Sequence, residues 1–127
     1  MALTHPFADL VGFSVSERTA EHCITELALE EKHLNPNGVV HGGVLYTLAD
    51  TGMGGALMAA LPEGHYCATI EIKIAYFRPA QTGTVRCTTR LVHLGRRTAS
   101  LESTLELEGK TLARAYGTFM ILQQPSA

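Results

Sequence analysis

The sequence has no tryptophan, and four tyrosines and four phenylalanines bring aromatic residues to only 6% of its 127 positions. Charge is sparse as well: 17% of residues are charged, and the formal net charge is −2. With no basic block, the chain has no electrostatic footprint for nucleic acid, and none is expected as a partner. No apolar run approaches the roughly 18 residues of a membrane span. The segment Met1-Ala2-Leu3-Thr4-His5-Pro6 lacks the charged and apolar regions of a secretory leader, so the expected location is the cytoplasm. Cysteine is scarce and odd in number. Cys23, Cys67 and Cys87 are too far apart for a CxxC pair and fit no disulfide framework, so they read as reduced core residues. The six histidines form no HxH or HExxH pattern, which leaves no expected metal site and no expected cofactor. There is no GxSxG elbow either, so a serine-based α/β-hydrolase route is not expected.

What is present is apolar residue: 46% of the chain, a globular composition. The length suits one domain, residues 1–127, with a core of its own. Asn35-Pro36-Asn37-Gly38 is a dense cluster of turn formers. Val39 and Val40 lead from it into His41-Gly42-Gly43, and from Val44 the residues Leu45, Leu48, Met53, Leu57 and Ala60 recur at helical spacing. A loop therefore feeds the N-terminus of a buried helix. Free N–H groups and the positive end of the dipole gather there, and glycine lets a polarised carbonyl approach the backbone closely. Asp50 falls inside this apolar helix, where a carboxylate is costly unless paired or used.

Around the helix the pattern is mostly β. Pro6 to Val11 reads as a short helix stopped by Gly12. Phe13 to Arg18 reads as a strand. His22 to Glu30 reads as a second, with Cys23, Thr25, Leu27 and Leu29 on one face and Glu30-Glu31-Lys32-His33 as its solvated exit. Leu61-Pro62-Glu63-Gly64 ends the helix. Four strands follow, over Ala68–Phe77, Thr84–Leu94, Thr98–Leu107 and Thr111–Leu122. In the first, Ile70, Ile72, Ile74 and Tyr76 share a face opposite Glu71 and Lys73. The last two strands meet at Glu108-Gly109-Lys110, a tight hairpin signal. The economical arrangement is an α+β fold: a curved antiparallel sheet of about six strands wrapped around one long central helix, with a short N-terminal helix. Gly52, Gly54 and Gly55 weaken the helix, and their expected use is close approach of the sheet or of a partner helix.

Asn35-x-x-Gly38-x-x-His41-Gly42-Gly43-Val44, followed six positions on by Asp50, resembles the signature of hotdog-fold acyl-CoA thioesterases. The nearest type is the PaaI-like (phenylacetic-acid-degradation) group, related to the 4-hydroxybenzoyl-CoA thioesterases. The similarity extends to the Pro6–Val11 helix, Tyr76-Phe77-Arg78-Pro79 and Gly95-Arg96-Arg97-Thr98. It implies hydrolysis of a CoA thioester, with an aryl or phenylacetyl-type acid as the expected product. It also implies a homodimer with a continuous sheet, often paired into a tetramer, and no metal. By this resemblance Asp50 is the nucleophile or general base, the Gly42 amide holds the carbonyl oxygen, Asn35 and His41 orient, and Thr69 assists. Some relatives carry Glu in place of Asp50, which leaves direct attack and water activation both open. For a CoA ester the phosphates need cations. Arg96 and Arg97 beside Thr98 are the best local candidates, with Gly43 lining the substrate path.

Gly42 and Asp50 are eight positions apart, about 12 Å along a helix. Nucleophile and oxyanion donor must both lie within about 3 Å of one carbonyl. That distance argues for sites shared between two chains of a two-fold dimer. Two other readings use the same residues: a non-catalytic acyl-CoA sensor, and a hotdog dehydratase or hydratase working through His41 and Asp50.

Overall fold

The chain opens on α1 (Pro6–Val11), whose first turn is capped by His5: its Nδ1 accepts the Ala8 N–H at 3.1 Å. This is a computed structural model that describes residues 5–125. Gly12, at φ 96°, ends the helix in the left-handed conformation that glycine adopts without strain. Strands β1 (Ser14–Arg18) and β2 (His22–Ala28) follow as an antiparallel pair. After a 3₁₀ turn at Glu31–His33 and the loop through Val40 comes the central helix α2 (Gly42–Ala60). Four strands complete the chain: β3 (His65–Tyr76), β4 (Thr84–Leu94), β5 (Thr98–Leu107) and β6 (Lys110–Gln123).

The six strands form one antiparallel sheet in the order β1-β2-β4-β5-β6-β3. The α+β architecture expected from the sequence, a sheet around one long helix with a short helix before it, is the one observed. The β5–β6 connection is the tight turn expected, with Glu108 at φ 50° and Gly109 at φ 78°, a pair of positive angles suited to a two-residue hairpin. Strand β3, however, pairs with β6 rather than with its sequence neighbour β4. Residues 77–83 therefore cross from one side of the sheet to the other. They are tied down as they pass: the Val40 N–H donates to the Ala80 carbonyl at 2.7 Å, and the Leu29 N–H to the Gly83 carbonyl at 2.9 Å.

The sheet's inner face and α2 make the core. Leu45, Leu48, Ala49, Met53, Ala56 and Leu57 of the helix are buried against Cys23, Leu27, Val85, Cys87, Leu101, Leu105 and Phe119 of the strands. Three buried hydroxyls are satisfied within it. Thr25 donates to the Leu48 carbonyl at 3.2 Å, and the Thr89 and Ser103 oxygens lie 2.6 Å apart. Gly52 lies over this cluster. A Cβ there would stand 2.5 Å from Thr89 Oγ1, and one at Gly55 would stand 3.0 Å from Cys23 Sγ. Two of the three helix glycines thus admit the sheet, as expected. Gly54 does not share the reason, since its Cβ would meet only a ring carbon of Phe119 at 3.9 Å.

The alternation read from the sequence breaks at three places. β2 ends at Ala28, and His33 is buried rather than part of a solvated exit. In β2, Ile24 is buried together with the inward Cys23 and Thr25. In β3, register slips between Thr69 and Glu71, so Ile70 is an extra residue opposite β6. Ile70 is half exposed and does not join Ile72 and Ile74 inside. A bulge changes the phase of a strand's two faces, and no periodicity rule reveals where one falls.

Candidate active site

Asp50 sits on α2, half-buried, and its Oδ1 accepts the Thr69 hydroxyl at 2.8 Å. The bulge makes this contact possible. Thr69 pairs with the buried Phe119, and Ile72 pairs with the buried Gly117, so both face the helix although three positions separate them. An unbroken strand would turn Thr69 outward whenever Ile72 points in. Cys67, two residues before Thr69 on the same face, is half-buried. Burial pushes its thiol above the usual range, and the Asp50 charge adds to the effect.

At the other end of the helix, the loop is built from its own polar groups. The Asn35 Oδ1 accepts the Asn37 N–H at 2.9 Å and the Val39 N–H at 3.4 Å, while the Asn35 N–H donates to the Val39 carbonyl at 2.7 Å. The Asn35 side-chain carbonyl is thus engaged within the loop, and its NH₂ is the end left to act outward. His41 caps α2: its Nδ1 accepts the Gly43 N–H at 2.8 Å. An accepting Nδ1 belongs to the neutral ring protonated at Nε2, so His41 presents an exposed donor. Gly43 therefore offers no free N–H. The Gly42 N–H does: it has no acceptor among the described residues, and it stands at the positive end of a 19-residue helix.

Two residues to which the sequence assigns no site role support this end. The Tyr76 hydroxyl donates to the Gly42 carbonyl at 2.8 Å, and a Cβ at Gly42 would stand 3.0 Å from the Tyr76 ring. Glycine is needed here because tyrosine occupies the space. His33, 3% exposed, accepts the Glu30 N–H at Nδ1 (2.9 Å) and donates from Nε2 to the Val11 carbonyl at 2.6 Å. Its own carbonyl accepts the His41 N–H at 2.8 Å. It ties α1, the 3₁₀ turn and the helix cap together. Nothing in the sequence signals either contact, since the partners lie 34 and 22 positions away.

The remaining candidates lie elsewhere. Arg96 and Arg97 are exposed on the turn between β4 and β5, and Thr98 pairs across β6 with Met120, which pairs with Ala68. At about 4.8 Å per strand, this turn is roughly 10 Å from the β3 residue next to Thr69. Gly42 and Asp50 stay apart. Both belong to one continuous helix, so the eight-residue interval spans about 12 Å with no loop to fold back.

The sequence model of the thioesterase superfamily matches residues 37–113, the span from the loop before α2 into β6. The chain belongs to the thioesterase superfamily. Mouse acyl-coenzyme A thioesterase 13 is 32% identical over 101 residues, which are 77% of this chain and 71% of that protein. A conserved Pseudomonas aeruginosa protein of known structure superposes with a TM-score of 0.90 at 32% identity, covering 94% of this chain and 95% of its own. The phenylacetic acid degradation protein PaaI of Thermus thermophilus superposes with a TM-score of 0.85 at 29% identity, over 91% of this chain and 98% of its own. This thioesterase is thus a thioester hydrolase with the hotdog fold, as the motif around Gly42 and Asp50 leads one to expect. Among its described residues no helix is long and apolar enough to cross a membrane.

Proposed function

We propose that the thioesterase acts on an acyl-CoA in the cytoplasm, in sites shared between the two chains of a homodimer. The observation that carries this reading is the pairing of Asp50 with Thr69 at one point of α2 and a free Gly42 N–H about two turns away. Each chain holds half of a site. A two-fold axis between antiparallel copies of α2 brings Asp50 of one chain to the Gly42 end of the other. Strand β3 is a sheet edge bearing exposed Tyr66, Ile70 and Tyr76, and pairing with its own copy would continue the sheet and cover that edge. Two such dimers would then associate into a tetramer.

In each composite site the Gly42 N–H, aided by the dipole, holds the thioester oxygen as charge develops on it. Thr69 fixes one oxygen of Asp50 and leaves the other to react. That oxygen either attacks the carbonyl carbon, giving a mixed anhydride and the CoA thiolate before water cleaves the anhydride, or takes a proton from the water that attacks. The His41 Nε2–H and the Asn35 NH₂ are the remaining donors at the mouth, suited to orient water or the leaving sulfur. Gly43 contributes by having no side chain, since a Cβ there would stand 2.9 Å from His41 Nδ1 and dislodge the cap. Arg96 and Arg97 with Thr98 supply the phosphate site. An aryl acid such as a phenylacetyl group is the product class that the similarity to PaaI favours.

The test pairs two inactive variants, Asp50→Ala and Gly42→Val. They are mixed equally, unfolded and refolded together. With shared sites each mixed dimer regains one intact site of two, and half the dimers are mixed, so about a quarter of wild-type activity returns. A mixture that stays inactive shows that each site lies within one chain.

A further inference from the structure

The two edges of the sheet, β1 and β3, flank the side of α2 that the sheet leaves uncovered, and between them runs a largely apolar groove of about 410 Å³. Its walls include Val15 and Arg18 of β1, Gly54 and Met58 of α2, and Tyr66 and Cys67 of β3. The volume is that of a small-molecule site. The groove passes beside the proposed nucleophile: Thr51, next to Asp50 in the chain, and Cys67, two residues before Thr69 in β3, both line it. Gly54 helps to open it. This glycine has no close neighbour and no positive φ, yet it costs helix stability.

Both walls are re-aimed by bulges. In β1 the register slips between Val15 and Glu17. Val15 pairs with Thr25 and Arg18 with Cys23, both buried residues of the helix side. Val15 and Arg18 consequently face the helix together although three positions separate them, as Thr69 and Ile72 do in β3. The Arg18 Nε–H donates to the Gly55 carbonyl at 3.1 Å, which leaves its terminal nitrogens with no acceptor among the described residues. Gly55 is five residues beyond Asp50, about 7.5 Å along the axis. The groove thus runs from beside the proposed nucleophile past the exposed Arg18 guanidinium, which is anchored at the Gly55 carbonyl.

We propose that this groove holds the acyl group and that Arg18 selects acyl chains ending in a carboxylate, making the preferred substrate the CoA monothioester of a dicarboxylic acid. The inference rests on the acyl-CoA reading above and replaces its aryl product class with a dicarboxylic one. A planar guanidinium with two free nitrogens matches a carboxylate's two oxygens. The apolar walls suit the methylenes between. An extended chain gains about 1.2 Å per bond, so a tail of about six bonds covers the rise from Asp50 to Gly55, where Arg18 is held.

The test compares adipyl-CoA with hexanoyl-CoA, and 4-hydroxyphenylacetyl-CoA with phenylacetyl-CoA, by thiol release from wild type, Arg18→Met and Arg18→Lys. The readout is the ratio of kcat/KM within each pair. In wild type the adipyl/hexanoyl ratio should be about tenfold or more, as expected of a charge-assisted bond. It should fall to near one in Arg18→Met and recover in part in Arg18→Lys. A role confined to the Gly55 carbonyl would lower both rates and leave the ratio alone, which overturns the proposal. A wild-type ratio near one overturns it too, as does a preference for the phenol without one for the carboxylate. If no CoA ester releases thiol, the acyl-CoA reading fails instead. Calorimetric binding of CoA thioethers bearing the same two tails then decides the role of Arg18 by the same ratio.

Discussion

At the scale of single residues, Asp50 is the group on which the proposed chemistry turns. It is a carboxylate in an apolar helix whose partner among the described residues is a hydroxyl rather than a cation. Asp50→Asn keeps the shape and the Thr69 contact but removes the charge. It should lower kcat by about 10²-fold or more while the melting profile stays close to wild type. Activity within a few-fold of wild type would assign Asp50 to structure. The helix glycines separate by the same logic. Gly52→Ala forces a methyl to 2.5 Å from Thr89 Oγ1 and should destabilise by about 1–3 kcal/mol. Gly54→Ala meets no clash and should stabilise by about 0.5–1 kcal/mol through helix propensity. Denaturant titration of the two variants gives both signs, and equal signs would mean that the helix shifts to absorb either methyl.

At the scale of elements, the proposed function has the β4–β5 turn and the N-terminal end of α2 divide the work of holding a large substrate. The turn presents Arg96 and Arg97 to solvent, two strands away from Thr69. Contacts so remote stabilise bound substrate and transition state alike. The double variant Arg96→Ala/Arg97→Ala should therefore raise KM for a CoA ester and spare kcat. A truncated thioester without the nucleotide provides the control. Equal loss on both substrates would remove these arginines from the phosphate site. The helix end, by contrast, is tied by His33, His41 and Tyr76 through hydrogen bonds of 2.6 to 2.9 Å, so its geometry is set before substrate arrives.

At the scale of the whole molecule, stability should respond to alkaline pH through the core thiols. Burial pushes the Cys23 thiol up to about 11, against the opposing pull of Arg18. A raised value in the folded state means that the fold holds the proton more tightly than the unfolded chain does. The associated stability is complete below pH 9 and is lost as pH rises towards 11. Denaturant midpoints measured from about pH 8 to 11 should fall across that window, and Cys23→Ala should flatten the decline. An unchanged slope would place the alkaline loss in other groups, Cys87 among them, whose thiol burial also raises.

The sequence by itself determined the elements and the chemistry-bearing stretch. Turn formers at Asn35–Gly38, helical spacing from Leu45 to Leu57 and alternation in β5 are local patterns, and local patterns survive without knowledge of neighbours. They sufficed for a sheet around a helix, with Asp50 inside it and glycines at its head. The tertiary structure decided which faces meet. Sequence periodicity turned Ile70 inward and gave no reason for Thr69 to reach Asp50, whereas an extra residue in β3 reverses both. The pairing of β3 with β6, the burial of His33 and the contact of Tyr76 with Gly42 likewise depend on residues far apart in the chain. Arg18, by sequence only the last residue of the first strand, faces the helix through a second bulge. A bulge shifts a strand's phase by one position, and its location is set by how that strand must bend against its neighbours, which a single strand's sequence does not encode.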